Sequence, residues 1–274
     1  MPIGVLGDRL RPRSQTAAEV SARVIARRPA ILLIAAVLLS LCLLASLFVG
    51  SSRIPAGQVA HYLLHPDASN VSYNIHVLRV QRTILGVLVG TALGVAGAVM
   101  QAVTRNPLAE PGLLGVNAGA SLGIVLGTAA LGVLPVPGQL LLAAGGALTA
   151  TALVQVIGMI GGSTSSPVRL VLIGVAFSAF AGAVIRGVVL TMPNLFRTFI
   201  DWEVGSLTRT DIPLLPVAAL VVAGTGAAIL LAGALDNIAL GDDVAAALGT
   251  RVGLVRGLSL AVITLLCATA TTVA

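Results

Sequence analysis

No lysine occurs anywhere in this chain: all 16 basic residues are arginine, against 10 acidic ones in 274 residues. A P-loop depends on a lysine that reaches the β- and γ-phosphates of a nucleotide. This chain cannot carry one, so any ATP chemistry linked to it belongs to a partner. Charge is scarce altogether, at 9% of residues, where a soluble domain carries about 25%. Too few polar side chains remain to cover a water-facing surface, so most of the exterior must face lipid. Aromatics make up only 3%, which removes a base-stacking platform. With the arginines scattered among apolar runs, the net charge of +6 does not point to nucleic acid. The two cysteines, Cys42 and Cys267, lie inside apolar runs and read as small packing residues rather than a redox pair or metal ligands.

What is abundant is apolar sequence in blocks of membrane-spanning length. An arginine-rich head, residues 1–30, precedes a run from Ile31 to Gly50. That run exceeds the apolar region of a signal peptide and covers about 30 Å as a helix, one bilayer core. A second span is expected over Thr83–Thr104. Between Glu110 and Arg169 lie 58 residues without a charged side chain, enough for two crossings, near Pro111–Leu134 and Gly138–Gly161, with a turn at Pro135–Gly138. Further spans fall at Leu170–Met192, Ile212–Leu235 and from Gly257 to Ala274. The expected class is therefore all-α, a polytopic transmembrane bundle of about seven helices. With the amino terminus in the cytoplasm, ten arginines fall on inner segments and five on outer ones, while Arg186 lies in the fifth span near its outer end. The positive-inside bias supports this orientation, and Arg79 and Arg82 are its exceptions. The apolar end at Thr271–Ala274 would leave a terminal carboxylate at the bilayer, so the sequence is expected to be a fragment or an early-terminated reading frame.

Within the spans, Gly86, Gly90, Gly94 and Gly97 line one helix face, and Gly174, Ser178 and Gly182 line another. Such faces let a second backbone approach closely; they are either packing surfaces or the wall of a pathway. Asn106-Pro107 and Pro111 force an abrupt turn into a span interrupted by glycines and Asn117, and broken spans can line cavities in transporters. In the inner stretch 236–256, Gly241 and Asp242 can start a short helix that Gly249 ends, with Asp242 and Asp243 at its positive pole. Docking to a partner and simple capping are both open for it on these grounds. His61, His65, His76 and Asp67 share the first outer segment and read as a solvated loop rather than a metal site.

The run RVQRTILGVLVGTALGVAGAVMQAVTRNPLAEPGLLGVNAG, Arg79 to Gly119, resembles the FecCD family, the permeases of type II ABC importers for siderophores, haem and cobalamin. The matching elements are Arg79 and Arg82, the glycine-spaced helix ending in Gln101, and Asn106-Pro107-Leu108-Ala109 with Pro111 and Gly115. Leu240-Gly241-Asp242 with Ala245 and Leu248-Gly249 match as well, and Trp202 with Gly205-Ser206-Leu207 more loosely. The resemblance runs from about residue 31 onward. It implies a permease of about ten helices per subunit, of which this chain holds about seven, paired with a second permease subunit, two ABC ATPases and an extracytoplasmic substrate-binding protein. The loop matching Gly241, Asp242, Asp243, Ala245, Leu248 and Gly249 would be the ATPase-coupling element. Arg79 and Arg82 would dock the binding protein, against the plainer reading of anchors at the headgroups. No catalytic residue, metal or cofactor is implied on this chain itself; ATP and Mg would sit on the partner ATPase. A ferric siderophore is the expected cargo because it is the family's commonest, with cobalamin or haem as alternatives. An ion-coupled secondary transporter is the alternative of a different class. It would call for carboxylates or histidines within spans, whereas every Asp, Glu and His here falls in a connection or flank.

Overall fold

The computed structural model describes residues 12–160, 167–192, 199–200, 203–210 and 212–273, and among these every regular element is helical. In chain order they are α1 (Pro12–Phe48), α2 (Ala56–Leu64), α3 (Asn70–Tyr73), a π-helix (Asn74–Val80), α4 (Gln81–Thr104), a 3₁₀ turn (Pro111–Leu114), α5 (Val116–Leu131), α6 (Val136–Met159), α7 (Pro167–Thr191), α8 (Leu214–Ala239), α9 (Asp242–Ala247) and α10 (Val252–Val273). Six helical stretches are long and apolar enough to cross a membrane. They correspond to all the expected spans except the third. There, Pro111–Leu114 winds as 3₁₀ and Gly115 turns in the left-handed region, leaving α5 only 16 residues. At 1.5 Å per residue it covers about 24 Å, short of a bilayer core.

Boundaries moved where prolines tolerate a first turn. α6 begins at Val136, so Pro137 and Gly138 lie inside its first turn and the break falls at Gly132–Pro135. The second span is helical from Asn70, and α10 starts at Val252, ahead of Gly257. α1 runs through Pro29 without interruption. Gly161 and Trp202 lie outside the described residues.

Contacts divide the chain into two units, Met1–Arg79 and Val80–Ala274. In the first, the apolar window of α1 is entirely exposed, and Cys42 is exposed with it, so the packing role expected of both cysteines falls to Cys267 alone. Arg79, 3% exposed, is a buried charged residue of this unit. In the second unit α10 is the hub. It packs on α4, α8, α6 and α5, and 56% of its apolar window is buried where no other helix exceeds 28%. Its Leu260, Ile263, Leu266 and Cys267 join one continuous core with Ala92, Ala96 and Met100 of α4 and Ala228 and Leu235 of α8.

The glycine-spaced face expected on α4 packs against little among the described residues. A Cβ at Gly90, Gly94 or Gly97 would meet no described atom within 4 Å, and one at Gly86 would only reach Leu207 at 3.9 Å. The reason is rotational: α4 turns Leu85, Ala92, Ala96, Val99, Met100 and Val103 to the core, a stripe at three- and four-residue spacing. The glycines lie on the adjacent face. The tight backbone contact is made elsewhere, between α5 and α6, where a Cβ on Gly146 would lie 2.2 Å from the Gly119 carbonyl oxygen.

Candidate functional site

Two places concentrate polar side chains against the apolar background: the junction at α9 and a cleft beside α5 and α7.

At the junction, α4 ends by a Schellman-type closure. The Asn106 N–H donates to the Gln101 carbonyl at 3.2 Å and the Arg105 N–H to that of Ala102 at 3.3 Å. The closure needs a left-handed residue, and Arg105 supplies it, with φ 51, where glycine would be the unstrained choice. Its side chain accounts for the exception. Arg105 Nε donates to the Ile238 carbonyl at 2.7 Å, and its Nη2 pairs with the Asp242 carboxylate. Arg256 of α10 pairs with the other oxygen of Asp242 at 3.0 Å. One carboxylate thus ties the start of α9 to the end of α4 and the first turns of α10. Ala245 is fully buried beneath, Asn237 donates to Thr250 Oγ1 at 3.0 Å, and Gly249, with φ 83, ends the helix. The opposite face is apolar and open: Leu240, Val244 and Leu248 are all exposed, as is Leu108 at 85%. Asp243 is exposed beside them.

Burial would raise the Asp242 pKa, but the hydrogen bond from Arg105 and the charges of Arg256 and Arg105 outweigh it and hold the carboxyl below its ordinary 3.8. A depressed folded-state pKa adds stability above the ordinary value, and this is lost as pH falls through the lowered one. The difference in thermal stability between wild type and Asp242→Asn should therefore be constant from neutral to mildly acid pH and close only below about 3.8. A difference that closes near neutral pH contradicts this.

The cleft has a volume of about 530 Å³ and is lined by Gly112, Asn117, Ser121, Ser178, Arg186 and Glu203 among others. The short α5 makes it possible. Because the chain turns back at Leu113–Gly115, Asn117 and Ser121 of α5 stand opposite the middle of α7. Gly174 admits the Leu113 carbonyl, which would lie 1.9 Å from a Cβ there. Asn117 accepts a hydrogen bond from Thr271 of α10 at 2.9 Å. On α7, Ser178, Gly182 and Arg186 follow at intervals of four and share one face.

The remaining predicted residues are placed as follows. Gln101 is exposed. Asn106 accepts from the Leu108 N–H at 3.0 Å, closing the turn through Pro107. Asp67 accepts from Ser69, and His76 pairs with the Tyr62 carbonyl at 2.8 Å. Arg79 and Arg82 part company. Arg82 is half-buried, whereas Arg79 donates through Nη1 to the Leu47 and Phe48 carbonyls and through Nη2 to that of Ser52. The Leu47 and Phe48 carbonyls are orphan acceptors at the end of α1 and Ser52 lies in the loop beyond, so Arg79 anchors the end of α1. Arg79→Leu should lower the stability of the solubilised protein by at least about 2 kcal/mol, the scale of a buried charged hydrogen bond, read as a fall in melting temperature. An unchanged melt refutes the anchor.

Sequence reasoning counted Arg105 and Arg256 only as orientation charges, and passed over Ser121 and Glu203. A charged residue at a left-handed helix end beside Asn-Pro was a usable signal for Arg105; nothing local marks the others.

Fold and site together define a multi-pass helical transport permease of the membrane. The chain belongs to the FecCD transport family, whose model matches residues 38–274. It is 43% identical over 229 residues to the ferric enterobactin transport system permease protein FepD of Escherichia coli K12, covering 83% of this chain and 69% of that one. It is 36% identical to the Fe(3+)-citrate import system permease protein YfmD of Bacillus subtilis 168, covering 77% and 62%. The iron(3+)-hydroxamate import system permease protein FhuB of the same organism is 30% identical, with 89% and 65% covered. The chain thus spans roughly two thirds of the length of these relatives. An inward-facing ABC transporter structure of the metal-chelate type superposes with a TM-score of 0.72 at 23% identity, over 89% of this chain and 76% of that one. That likeness speaks for the fold alone.

Proposed function

We infer that this chain is the membrane-spanning subunit of an ABC importer that carries a ferric siderophore across the cell membrane. The observation that carries the reading is α9: pinned on its inner face by Asp242 and Ala245, it offers Leu240, Val244 and Leu248 outward. A short helix held rigidly to two spans, with an open apolar face, is suited to receive a push from a partner. The absence of lysine supports a reading in which ATP and Mg sit on that partner, a pair of ABC ATPases, with α9 and the amino terminus in the cytoplasm. A second permease subunit would complete the passage and an extracytoplasmic binding protein would deliver the cargo, with Arg82 rather than Arg79 as the docking arginine. Cargo assignment follows the enterobactin, citrate and hydroxamate permeases to which the chain is similar.

Radioiron uptake by cells with and without the gene, before and after ATP depletion, tests this. Uptake of at least one ferric siderophore should need both the gene and ATP. Uptake that survives deletion, or that follows an ion gradient instead of ATP, overturns it.

A further inference from the structure

We propose that the α5–α7 cleft is a charge-selective subsite, in which Arg186 recognises ferric chelates of net negative charge over neutral ones; this rests on the siderophore reading above. An ionisable side chain within a span marks a functional site by default. Arg186 stands five residues before the end of α7 at Thr191, so a headgroup lies within reach of an extended side chain. The guanidinium goes the other way. Its Nη2 would lie 3.3 Å from a Cβ on Gly182, one turn back along the helix, so the side chain folds over Gly182 towards Ser178. Helical side chains tilt in this direction, and glycine at 182 leaves the room.

Among the described residues no carboxylate lies within ion-pairing distance of Arg186; the ion pairs are those of Asp242. Glu203 lines the same cleft from a separate segment and does not pair with the guanidinium. Ser121, Ser178 and the amide of Asn117 add neutral hydrogen-bonding groups. The volume of about 530 Å³ lies within the range of small-molecule sites, about 300–1,000 Å³. Arg186 is itself exposed, and a planar guanidinium suits anionic oxygen pairs. Iron(III) bound by three catecholates keeps a net negative charge, whereas three hydroxamates leave it neutral, so the two chelate classes separate charge from size.

The test is radioiron uptake in cells carrying the permease with its native partners, supplied with an iron(III) tris-catecholate or an iron(III) tris-hydroxamate. Arg186→Gln should cut catecholate uptake about tenfold with permease levels in the membrane unchanged, and Arg186→Lys, which keeps the charge but not the planar fork, should restore only part of it. Glu203→Gln, which removes the one acidic group of the lining, should lower the KM for the catecholate two- to fivefold. Equal loss of both chelates in Arg186→Gln would assign the arginine to a lipid phosphate and overturn the proposal, as would undiminished catecholate uptake. If Arg186→Gln fails to accumulate, the Glu203→Gln arm decides, and an unchanged KM overturns the proposal. Wild-type cells that take up neither chelate would instead sink the siderophore reading.

Discussion

Reversing the charge of Asp242 (Asp242→Arg) should lower ATP-driven uptake about tenfold or more while the chain still reaches the membrane. The carboxylate is held between Arg105 at the end of α4 and Arg256 in α10, and the reversal sets three guanidiniums against one another. Each surface ion pair alone is worth about 0–1 kcal/mol, so global stability should suffer little. What fails is position. α9 is only six residues long, and its register against α4 and α10 rests on Asp242 and the buried Ala245. Coupling free energies between sites are typically about 1–3 kcal/mol, so losing the tie should lower uptake by about tenfold or more. The ATPase partner should continue to hydrolyse ATP. Asp242→Asn, which keeps an acceptor but loses the charge, should fall between. Measuring uptake and ATP turnover on the same reconstituted complex separates the two quantities. Wild-type transport by Asp242→Arg would show that α9 is not held through this carboxylate.

The second large effect lies in the bundle itself. Gly146→Leu should prevent the folded protein from accumulating in the membrane. A Cβ at 146 would sit 2.2 Å from the Gly119 carbonyl oxygen and 2.9 Å from the Gly123 Cα, and one at 119 would lie 2.5 Å from the Gly146 carbonyl oxygen. These neighbours are backbone and cannot rotate away. Overpacking usually costs about 1–3 kcal/mol when side chains can yield, and more where two helices must separate, against a total stability of about 5–15 kcal/mol. Separating α5 from α6 would also pull the Asn117–Ser121 face of α5 away from the cleft. Gly90→Ala is the informative contrast: nothing described lies within 4 Å of its Cβ, so the solubilised chain should melt no lower than wild type. Detergent thermal melts of Gly146→Ala, Gly146→Leu and Gly90→Ala decide the matter. Equal tolerance at both positions would refute the close approach of α5 and α6.

The contrast between Gly90 and Gly146 shows where sequence reading stops. Glycine at intervals of four is visible in α4, and such spacing states that a flat face exists. It does not state whether another helix of the same chain covers that face, because helix rotation is set by the larger apolar stripe alongside. The intervals at Gly119, Gly123 and Gly127 were equally regular, and there the face is covered. Arg79 and Arg82 teach the same lesson: their spacing and their breach of the positive-inside rule were legible. That Arg79 donates to the end of α1 depended on a contact between residues 27 to 32 positions apart.

By itself the sequence determined the class. Apolar runs of bilayer length and few charges dictate a multi-pass helical bundle, because the hydrocarbon core admits only backbones that satisfy their own hydrogen bonds. Local chemistry also set the short helix at Gly241–Gly249, where aspartates meet a helix start and glycine supplies the stop. Only the tertiary structure decided that α5 falls short of a full span, that α10 forms the hub, that Asp242 joins three helices, and that Arg186 folds back over Gly182. Each depends on helix rotation and long-range approach, which are fixed by packing the whole bundle at once and leave no periodicity in the chain.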